Sequence, residues 1–151
     1  MMKNDAVRFP RGVEVVGSAI IERPDGAILL TRSPKWHGKW IMPGGHVEPG
    51  EAIEEAIRRE AEEEAGVRLQ SAGVIVSFGE LIGSKDFHRS AHFVYFDVWF
   101  AAEGTDVRLD GAELNEYAWV APEDALAMDL AESYEKTIQD FIAFKAGKRG
   151  A

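Results

Sequence analysis

The segment from Gly45 to Val67, which reads GHVEPGEAIEEAIRREAEEEAGV, constrains this chain more than any other part of its sequence. It follows a glycine-rich turn, Met42-Pro43-Gly44-Gly45, and its composition favours a helix. In a helix, Glu60, Glu63 and Glu64 stand at i, i+3 and i+4 and share one face. Like charges at this spacing destabilise a helix by roughly 0.2–0.5 kcal/mol per pair. The pattern therefore indicates a function for the carboxylates, and oxygen ligands suit Mg²⁺, Mn²⁺ or Ca²⁺ better than zinc.

An ordinary acidic surface helix explains part of the same segment. Oppositely charged residues recur at i, i+4 along it, in the pairs Glu54–Arg58, Glu55–Arg59, Arg58–Glu62 and Arg59–Glu63. Such pairs are typical of solvated helix faces. Spacing alone therefore leaves two interpretations open, a metal site and a solvated acidic face.

The segment resembles the signature of the Nudix hydrolases, which is Gly, five residues, Glu, seven residues, then Arg-Glu-aliphatic-any-Glu-Glu-any-Gly-aliphatic. Gly45 is followed by five residues and Glu51, and seven more lead to Arg59-Glu60-Ala61-Glu62-Glu63-Glu64-Ala65-Gly66-Val67. Every fixed position matches, and Ala61 stands where a bulkier aliphatic residue is usual. The resemblance implies an α/β fold, a Nudix-type α/β/α sandwich with a mixed β-sheet, in a single domain.

The resemblance also implies a set of metal ligands. Glu60 and Glu64 are the main candidates, and Glu63 is a third ligand that also takes part in catalysis. The carbonyl oxygen of Gly44 is a further candidate, because a Gly-Gly turn lets backbone approach an ion closely. Alternatively, the two glycines only form a tight turn. The implied cofactor is Mg²⁺, with Mn²⁺ as a substitute, since such ions neutralise phosphate oxygens and lower the pKa of a bound water.

Arg59 and Glu51 are expected at the same catalytic site. The planar fork of Arg59 suits bidentate pairing, so this residue is expected to orient a carboxylate. Glu51 precedes Glu60 by nine residues, which places it about 180° away on an ideal helix. It shares the carboxylate face only if the helix begins after it. Otherwise it stabilises the helix N-terminus or pairs with Arg59.

Two glutamates are candidates for the general base. Glu113 and Glu116 precede Trp119 by six and three residues. Related Nudix enzymes place a glutamate in a loop before a late strand that contains Trp. Glu113 lies in a turn-like stretch, Asp110-Gly-Ala-Glu, which favours it over Glu116. Both residues could also be solvated loop residues.

Loops and strand ends are expected to select the substrate. Arg32 and Lys39 could contact phosphate, and Trp36 and Phe78 could stack on a base. Each aromatic residue could equally belong to the core or its rim. Further candidates in the same loops are Trp40, Phe87, His88 and Arg89.

Composition narrows the location and the class of protein. The length of 151 residues favours one domain, with residues 1–10 and 146–151 expected to be flexible ends. The sequence has no apolar run long enough to span a membrane and no apolar run typical of a signal peptide near its start. It also lacks cysteine, so a cytoplasmic location without membrane association is expected.

The net charge of −9 is unevenly distributed along the chain. Between Glu48 and Glu64 there are eight Glu and two Arg, which gives −6 and leaves −3 for the rest. A basic stripe is absent, so a nucleic-acid partner is not expected. A nucleotide would also be repelled unless metal ions screened these carboxylates.

Apolar patterns and turn signals place the secondary structure. Strands are predicted over residues 13–22, 27–32, 40–42, 73–82, 91–101 and 114–120, with the first two joined in a hairpin. Helices are predicted over residues 51–65 and 131–146, with a helical turn at Pro122 and a left-handed cap at Gly66. The strand at 91–101 is mostly apolar on both faces, which is typical of a strand covered on both sides.

The resemblance to the Nudix hydrolases implies metal-dependent hydrolysis of a phosphoanhydride bond in a nucleoside diphosphate-linked compound, with a (deoxy)nucleoside triphosphate favoured. ADP-ribose or nucleotide-sugar pyrophosphatase activity is an alternative. ADP-ribose hydrolases of this kind often carry a proline some 15 residues after the signature, and Gly79–Gly83 lacks it. A non-catalytic nucleotide-sensing module is a second alternative. The family resemblance also implies a possible homodimer.

Overall fold

The computed structural model describes the backbone of residues 8–70 and 72–150 and the side chains of residues 8–70 and 72–147. Its strands are β1 Val13–Glu22, β2 Ile28–Arg32, β3 Trp40–Ile41, β4 Gly44–His46, β5 Val74–Ile82, β6 His92–Ala101 and β7 Glu116–Val120. Its α-helices are α1 Ile53–Ala65, α2 Pro122–Ala125 and α3 Tyr134–Gly150, and a short 3-10 helix spans Pro34–Trp36.

Strand β1 is the centre of a mixed sheet with the path β3-β2-β1-β6-β5. It runs parallel to β6 along its whole length, from the pair Val13–His92 to the pair Glu22–Ala101. On its other side, β4 pairs with it antiparallel and β2 joins it at Glu22. Strand β7 pairs antiparallel with β2. The pairing of β4 with β1 fixes the position of the glycine-rich segment, and α1, which carries the signature glutamates, is the next element in the chain.

The two faces of the sheet are covered by different helices. One apolar cluster packs α1 residues such as Ile57 and Ala61 against Val98 and Phe100 of β6. The cluster on the opposite face packs Ile138 and other α3 residues against β1 and β2. Alternating side chains of each strand therefore enter opposite layers. This arrangement is the α/β/α sandwich with a mixed sheet that the resemblance implies, in a single domain.

Most predicted strands are confirmed to within two residues, and the predicted cap at Gly66 is confirmed by its left-handed φ of 68°. Helix α1 is likewise confirmed to within two residues, because Ala52 is extended and the helix begins at Ile53 and ends at Ala65 as predicted. The predicted start of α3 is wrong, since this helix begins at Tyr134 and continues to Gly150.

The prediction of a turn at the two glycines needs correction. Gly44–His46 is a short strand, whose pairs with β1 are Ser18–Gly44, Gly17–Gly45 and Val16–His46. A side chain at Gly44 would place Cβ only 2.0 Å from the carbonyl oxygen of Gly17. Glycine is therefore required for these backbones to approach each other.

The chain ends bear on the predicted flexible segments. Residues 1–7 and 151 lie outside the described residues, whereas residues 146–150 belong to α3. Lys145 just before them donates a hydrogen bond of 2.9 Å to Glu22 of β1. Among the described residues, no helix is both long and apolar enough to cross a membrane.

Candidate active site

Strand β4 and helix α1 meet where Gly45 faces Glu60. A Cβ atom at Gly45 would lie 2.6 Å from Cδ of Glu60 and 2.7 Å from its Oε2. The missing side chain therefore lets the Glu60 carboxylate rest against the backbone of β4. This contact joins the two halves of the signature, the glycine pair and the helix that carries the glutamates.

Arg59 holds two carboxylates from different parts of the chain. Its Nε and Nη2 donate to Glu51 at 2.8 and 2.9 Å, and its Nη1 donates to Glu60 at 2.9 Å. Glu51 precedes the helix and also accepts a hydrogen bond from the backbone N–H of Glu48. The hydrogen bonds from Arg59 lower the pKa of Glu51. Glu51 therefore reaches the site through Arg59, as the pairing alternative predicts.

Glu64 is the buried member of the carboxylate group, with 7% of its surface exposed. Glu113, Glu60 and Asp110 all place negative charge near its carboxylate. Burial, followed by the charge of Glu113, raises the pKa of Glu64 to about 9. A cation bound beside Glu64 would favour its charged form and so oppose the effects of burial and of the Glu113 charge on this pKa.

The loop that carries Glu113 is docked on the end of α1. The backbone N–H of Asp110 donates to the carbonyl oxygen of Glu64 at 2.9 Å. The Asp110 side chain then accepts from the N–H groups of Glu113 and Leu114 at 3.0 and 3.1 Å. Leu114 is buried in the apolar cluster beneath α3. These contacts hold Glu113 beside Glu64, although the two residues are far apart in sequence.

A cleft with a volume of about 230 Å³ is lined in part by Gly45, Glu60, Glu64, Glu113 and Leu114. Its acidic lining residues are Glu48, Glu60, Glu64 and Glu113. The lining also includes four aromatic residues, Trp36, Phe87, Phe93 and Tyr134, which form an aromatic wall. The cleft thus combines a group of carboxylates with aromatic rings suited to contact a flat ring.

The aromatic wall is a set of mutually packed rings. The ring centroids of Trp36 and Phe87 are 4.6 Å apart, and those of Phe87 and Phe93 are 5.1 Å apart. Trp36 also meets Tyr134 edge to face at 6.5 Å. Because Trp36 and Phe87 already touch, a ligand ring would stack on an exposed face of this wall rather than between the two rings.

Several residues predicted from the sequence lie outside the cleft lining. Arg32 donates to the Gly38 carbonyl at 2.6 Å and to Glu116 at 3.1 Å, so these two predicted site residues pair with each other. Lys39 pairs with Asp86 and Asp129 at 3.5 and 3.4 Å. Phe78 projects from β5 and is 68% exposed.

The carboxylates are close but do not form a finished coordination sphere. Within residues 8–70 and 72–150, no three Asp, Glu or His side chains converge closely enough to hold a metal ion. One oxygen of Glu60 is held by Arg59, and Glu63, which is 62% exposed, lies 3.5 Å from the same guanidinium. Rotation of these side chains towards Glu64 would supply oxygen ligands of the kind that Mg²⁺ and Mn²⁺ prefer. The donor set therefore fits a hard divalent cation.

Comparison with known proteins decides the family. A model of the NUDIX domain matches residues 13–141, which is most of the chain. The chain belongs to the Nudix family. Nucleoside triphosphatase NudI of Escherichia coli O81 (strain ED1a) is 35% identical over 124 residues, covering 76% of this chain and 87% of that protein. The protein is thus a Nudix hydrolase, and Nudix hydrolases generally require a divalent metal ion.

Solved structures agree with this assignment. The MutT NUDIX hydrolase from Burkholderia pseudomallei has a TM-score of 0.73 and 27% identity, over 85% of this chain and 97% of that one. The E. coli ORF135 protein has a TM-score of 0.71 and 27% identity, over 89% and 92% of the two chains. The Nudix fold therefore extends beyond the signature to both covering layers.

Sequence reasoning missed some residues that line the cleft. Lys35, Phe93 and Tyr134 line the cleft from three separate segments, and the sequence patterns do not mark any of them as a site residue. Lys35 stands alone between Pro34 and Trp36, so no local pattern marks it. The one usable signal was its position in a loop shortly before the glycine pair.

Proposed function

We propose that this Nudix hydrolase cleaves a phosphoanhydride bond in a (deoxy)nucleoside triphosphate and that it uses Mg²⁺, for which Mn²⁺ can substitute. The burial of Glu64 in a cleft that also holds Glu60, Glu113 and the aromatic wall carries the proposal. The relative at 35% identity is named a nucleoside triphosphatase, which supports the substrate class.

In this proposal Glu60 and Glu64 are the main ligands of the cation, and Glu63 and the Gly44 carbonyl complete the set. Glu64 is fixed by burial, Glu60 has only one of its two oxygens on Arg59, and Glu63 must turn away from the Arg59 guanidinium to reach the cation. When bound, the cation would neutralise phosphate charge and supply a water of lowered pKa. Glu63 is the most mobile of these ligands, because it is the most exposed.

Arg59 and Glu51 act as positioning residues for this set. The bidentate contact with Glu51 fixes the orientation of the guanidinium, and the remaining donor holds Glu60. Arg59 thereby keeps Glu60 near Gly45 while the site is empty of substrate. Neither residue needs to touch the nucleotide.

Glu113 is the proposed general base. It lines the cleft beside Glu64, whereas Glu116 pairs with Arg32 outside the lining. Its loop is anchored through Asp110, but its own side chain is only partly buried, so it can turn towards an attacking water. The choice between the two glutamates therefore favours Glu113.

Trp36 is the proposed stacking residue for the base, because it belongs to the aromatic wall of the cleft. Phe87 provides the adjoining ring of the same wall. Arg32, Lys39 and Phe78 stay predictions, and their positions give them no contact with the cleft. A cytoplasmic location, the absence of a nucleic-acid partner and a homodimer also stay predictions.

A panel assay tests the proposed function. Phosphate and pyrophosphate release would be measured with Mg²⁺ and with Mn²⁺ on common and oxidised (deoxy)nucleoside triphosphates, ADP-ribose, nucleotide sugars and dinucleoside polyphosphates. We expect turnover of at least one triphosphate, with the product pattern identifying the bond that is cleaved. Turnover confined to ADP-ribose or nucleotide sugars would replace the proposed substrate class. Binding of nucleotides without any hydrolysis would contradict the enzymatic proposal.

A further inference from the structure

Lys35 is the only lysine or arginine among the described residues that line the cleft. The same lining contains four glutamates, so the cleft carries a formal excess of negative charge. The Lys35 ammonium group donates to Oε1 of Glu113 at 2.8 Å. Glu113 lines the cleft together with Glu64 and places its negative charge near that carboxylate. Lys35 therefore pairs with a member of the acidic group around Glu64.

The backbone of Lys35 is held by hydrogen bonds, while its side chain is nearly half exposed and its ammonium pairs with Glu113. Its N–H donates to the Ser33 hydroxyl at 3.2 Å, and its carbonyl accepts from the N–H of His88 at 2.7 Å. Pro34 adds rigidity to the short 3-10 helix. Both charged ends of the Lys35–Glu113 pair are nearly half exposed. Such pairs are weak, so a stronger ligand can separate them.

We propose that Lys35 is a substrate-binding and positioning residue that exchanges Glu113 for the terminal phosphate of the substrate. This inference rests on the proposed function and adds a residue to it. Without substrate, the ammonium holds Glu113, and its positive charge opposes the binding of a cation at the neighbouring carboxylates. The terminal phosphate carries more negative charge than one carboxylate and attracts the ammonium more strongly. Its arrival releases Glu113 to the carboxylate site.

The exchange has consequences of opposite sign for the two ligands of the cleft. Removal of the Lys35 charge ends this repulsion, so a divalent cation should bind the substrate-free protein more tightly. The same change removes the cation that meets the terminal phosphate, so a triphosphate should bind more weakly. A residue that only supported the loop would weaken both ligands together when it was replaced.

The test compares Lys35→Met, Lys35→Arg and Lys85→Met with the wild type. Lys85 is an exposed lysine in the neighbouring loop and does not line the cleft. Mn²⁺ binding to the substrate-free proteins is measured from the electron paramagnetic resonance signal of free Mn²⁺. We expect Lys35→Met to lower the Kd for Mn²⁺ about threefold or more, and Lys35→Arg and Lys85→Met to stay within twofold of wild type. Thermal unfolding checks that each variant is folded.

Nucleotide binding supplies the second readout. The probes are a non-hydrolysable nucleoside triphosphate analogue and the matching monophosphate, each measured by calorimetry with Mg²⁺. Lys35→Met should weaken the analogue about tenfold and leave the monophosphate within twofold, and kcat should change less than KM. Unchanged or weaker Mn²⁺ binding, or equal weakening of both nucleotides, would overturn the inference. Absence of triphosphate hydrolysis by the wild type would instead contradict the proposed function. The Mn²⁺ measurement would still show whether the Lys35 charge weakens cation binding.

Discussion

The guanidinium of Arg59 reaches back across the start of its own helix to hold Glu51, with donor–acceptor distances of 2.8 and 2.9 Å. Glu51 is not in the helix, which begins at Ile53. The Arg59–Glu51 pair therefore links the second turn of the helix to the segment just before its first residue. The third arm of the same guanidinium holds Glu60, so the position of a proposed metal ligand depends on a residue outside the helix.

Glu51→Gln should lower kcat about tenfold without unfolding the protein. The amide keeps one acceptor but loses the charge and half of the bidentate contact, so Arg59 no longer fixes Glu60. Loss of a supporting partner at a metal site typically lowers activity or metal affinity 10–100-fold, about the size of effect expected here. Steady-state kinetics at saturating metal would measure it. Exposed Glu55→Gln on the same helix is the control, and equal kcat in both variants would argue against a positioning role.

Gly45→Ala should reduce activity by about tenfold or more, because the new Cβ would lie 2.6 Å from Cδ of Glu60 and displace its carboxylate. Gly104→Ala is a matched control, since nothing lies within 4 Å of the Cβ it would add. Turnover and far-UV circular dichroism of both variants would be compared. The role of Gly45 as a cradle for Glu60 would be refuted by a folded Gly45→Ala protein with full activity.

Trp36→Ala should raise KM for the nucleotide about tenfold, with a smaller change in kcat. A base that stacks on an aromatic ring gains about 1–3 kcal/mol, by analogy with single-stranded nucleic acid bound to aromatic side chains. Tyr117 is an exposed residue of strand β7 outside the cleft lining, so Tyr117→Ala should leave KM unchanged. Quenching of tryptophan fluorescence by nucleotide would provide an independent signal. A KM unaffected by Trp36→Ala would remove this residue from substrate binding.

Asp97 should make the folded protein less stable as pH rises from about 4 to 7. Burial raises its pKa to about 7, although the Thr137 hydroxyl donates to it at 2.6 Å and opposes the shift. Between its unfolded pKa of about 3.9 and its folded value, the native state holds a proton that the unfolded state has lost. Stability therefore falls with rising pH across that window, and the loss is complete above it.

Asp97→Asn should remove this dependence, since the amide cannot ionise. The stability of the variant relative to wild type should rise with pH by up to about 1.4 kcal/mol per pH unit between pH 4 and 7. Urea unfolding of both proteins at intervals across that range measures the difference and cancels contributions from other groups. A constant difference would mean that Asp97 titrates with an ordinary pKa.

The sequence predicts those parts of the site that depend on local spacing. Glu60, Glu63 and Glu64 belong to one helix, so their separation in sequence determines which side of the helix they occupy. The cap at Gly66 is local in the same way. Strand β4 could not be predicted, because three residues are too few to show alternation, and its pairing partner β1 lies far away in sequence.

Contacts between distant segments decide the rest. The position of the Glu113 loop beside Glu64 depends on the hydrogen bond from the Asp110 N–H to the Glu64 carbonyl oxygen. No sequence pattern near Glu113 predicts this hydrogen bond. Arg32 has the chemistry to bind phosphate, but the fold uses it to pair with Gly38 and Glu116. Lys35 has the same chemistry, and its position opposite Glu113 results from the packing of two loops. Residue type alone cannot separate these two cations.

The central claim is that Glu64 is a buried metal ligand that hydrolysis requires. Nucleotide hydrolysis and Mn²⁺ binding should be measured for Glu64→Gln and for the exposed Glu55→Gln on the same helix. We expect Glu64→Gln to fold, to lose at least a hundredfold in kcat and to bind Mn²⁺ at least tenfold more weakly, while Glu55→Gln matches wild type. Wild-type turnover and Mn²⁺ affinity in folded Glu64→Gln would contradict it.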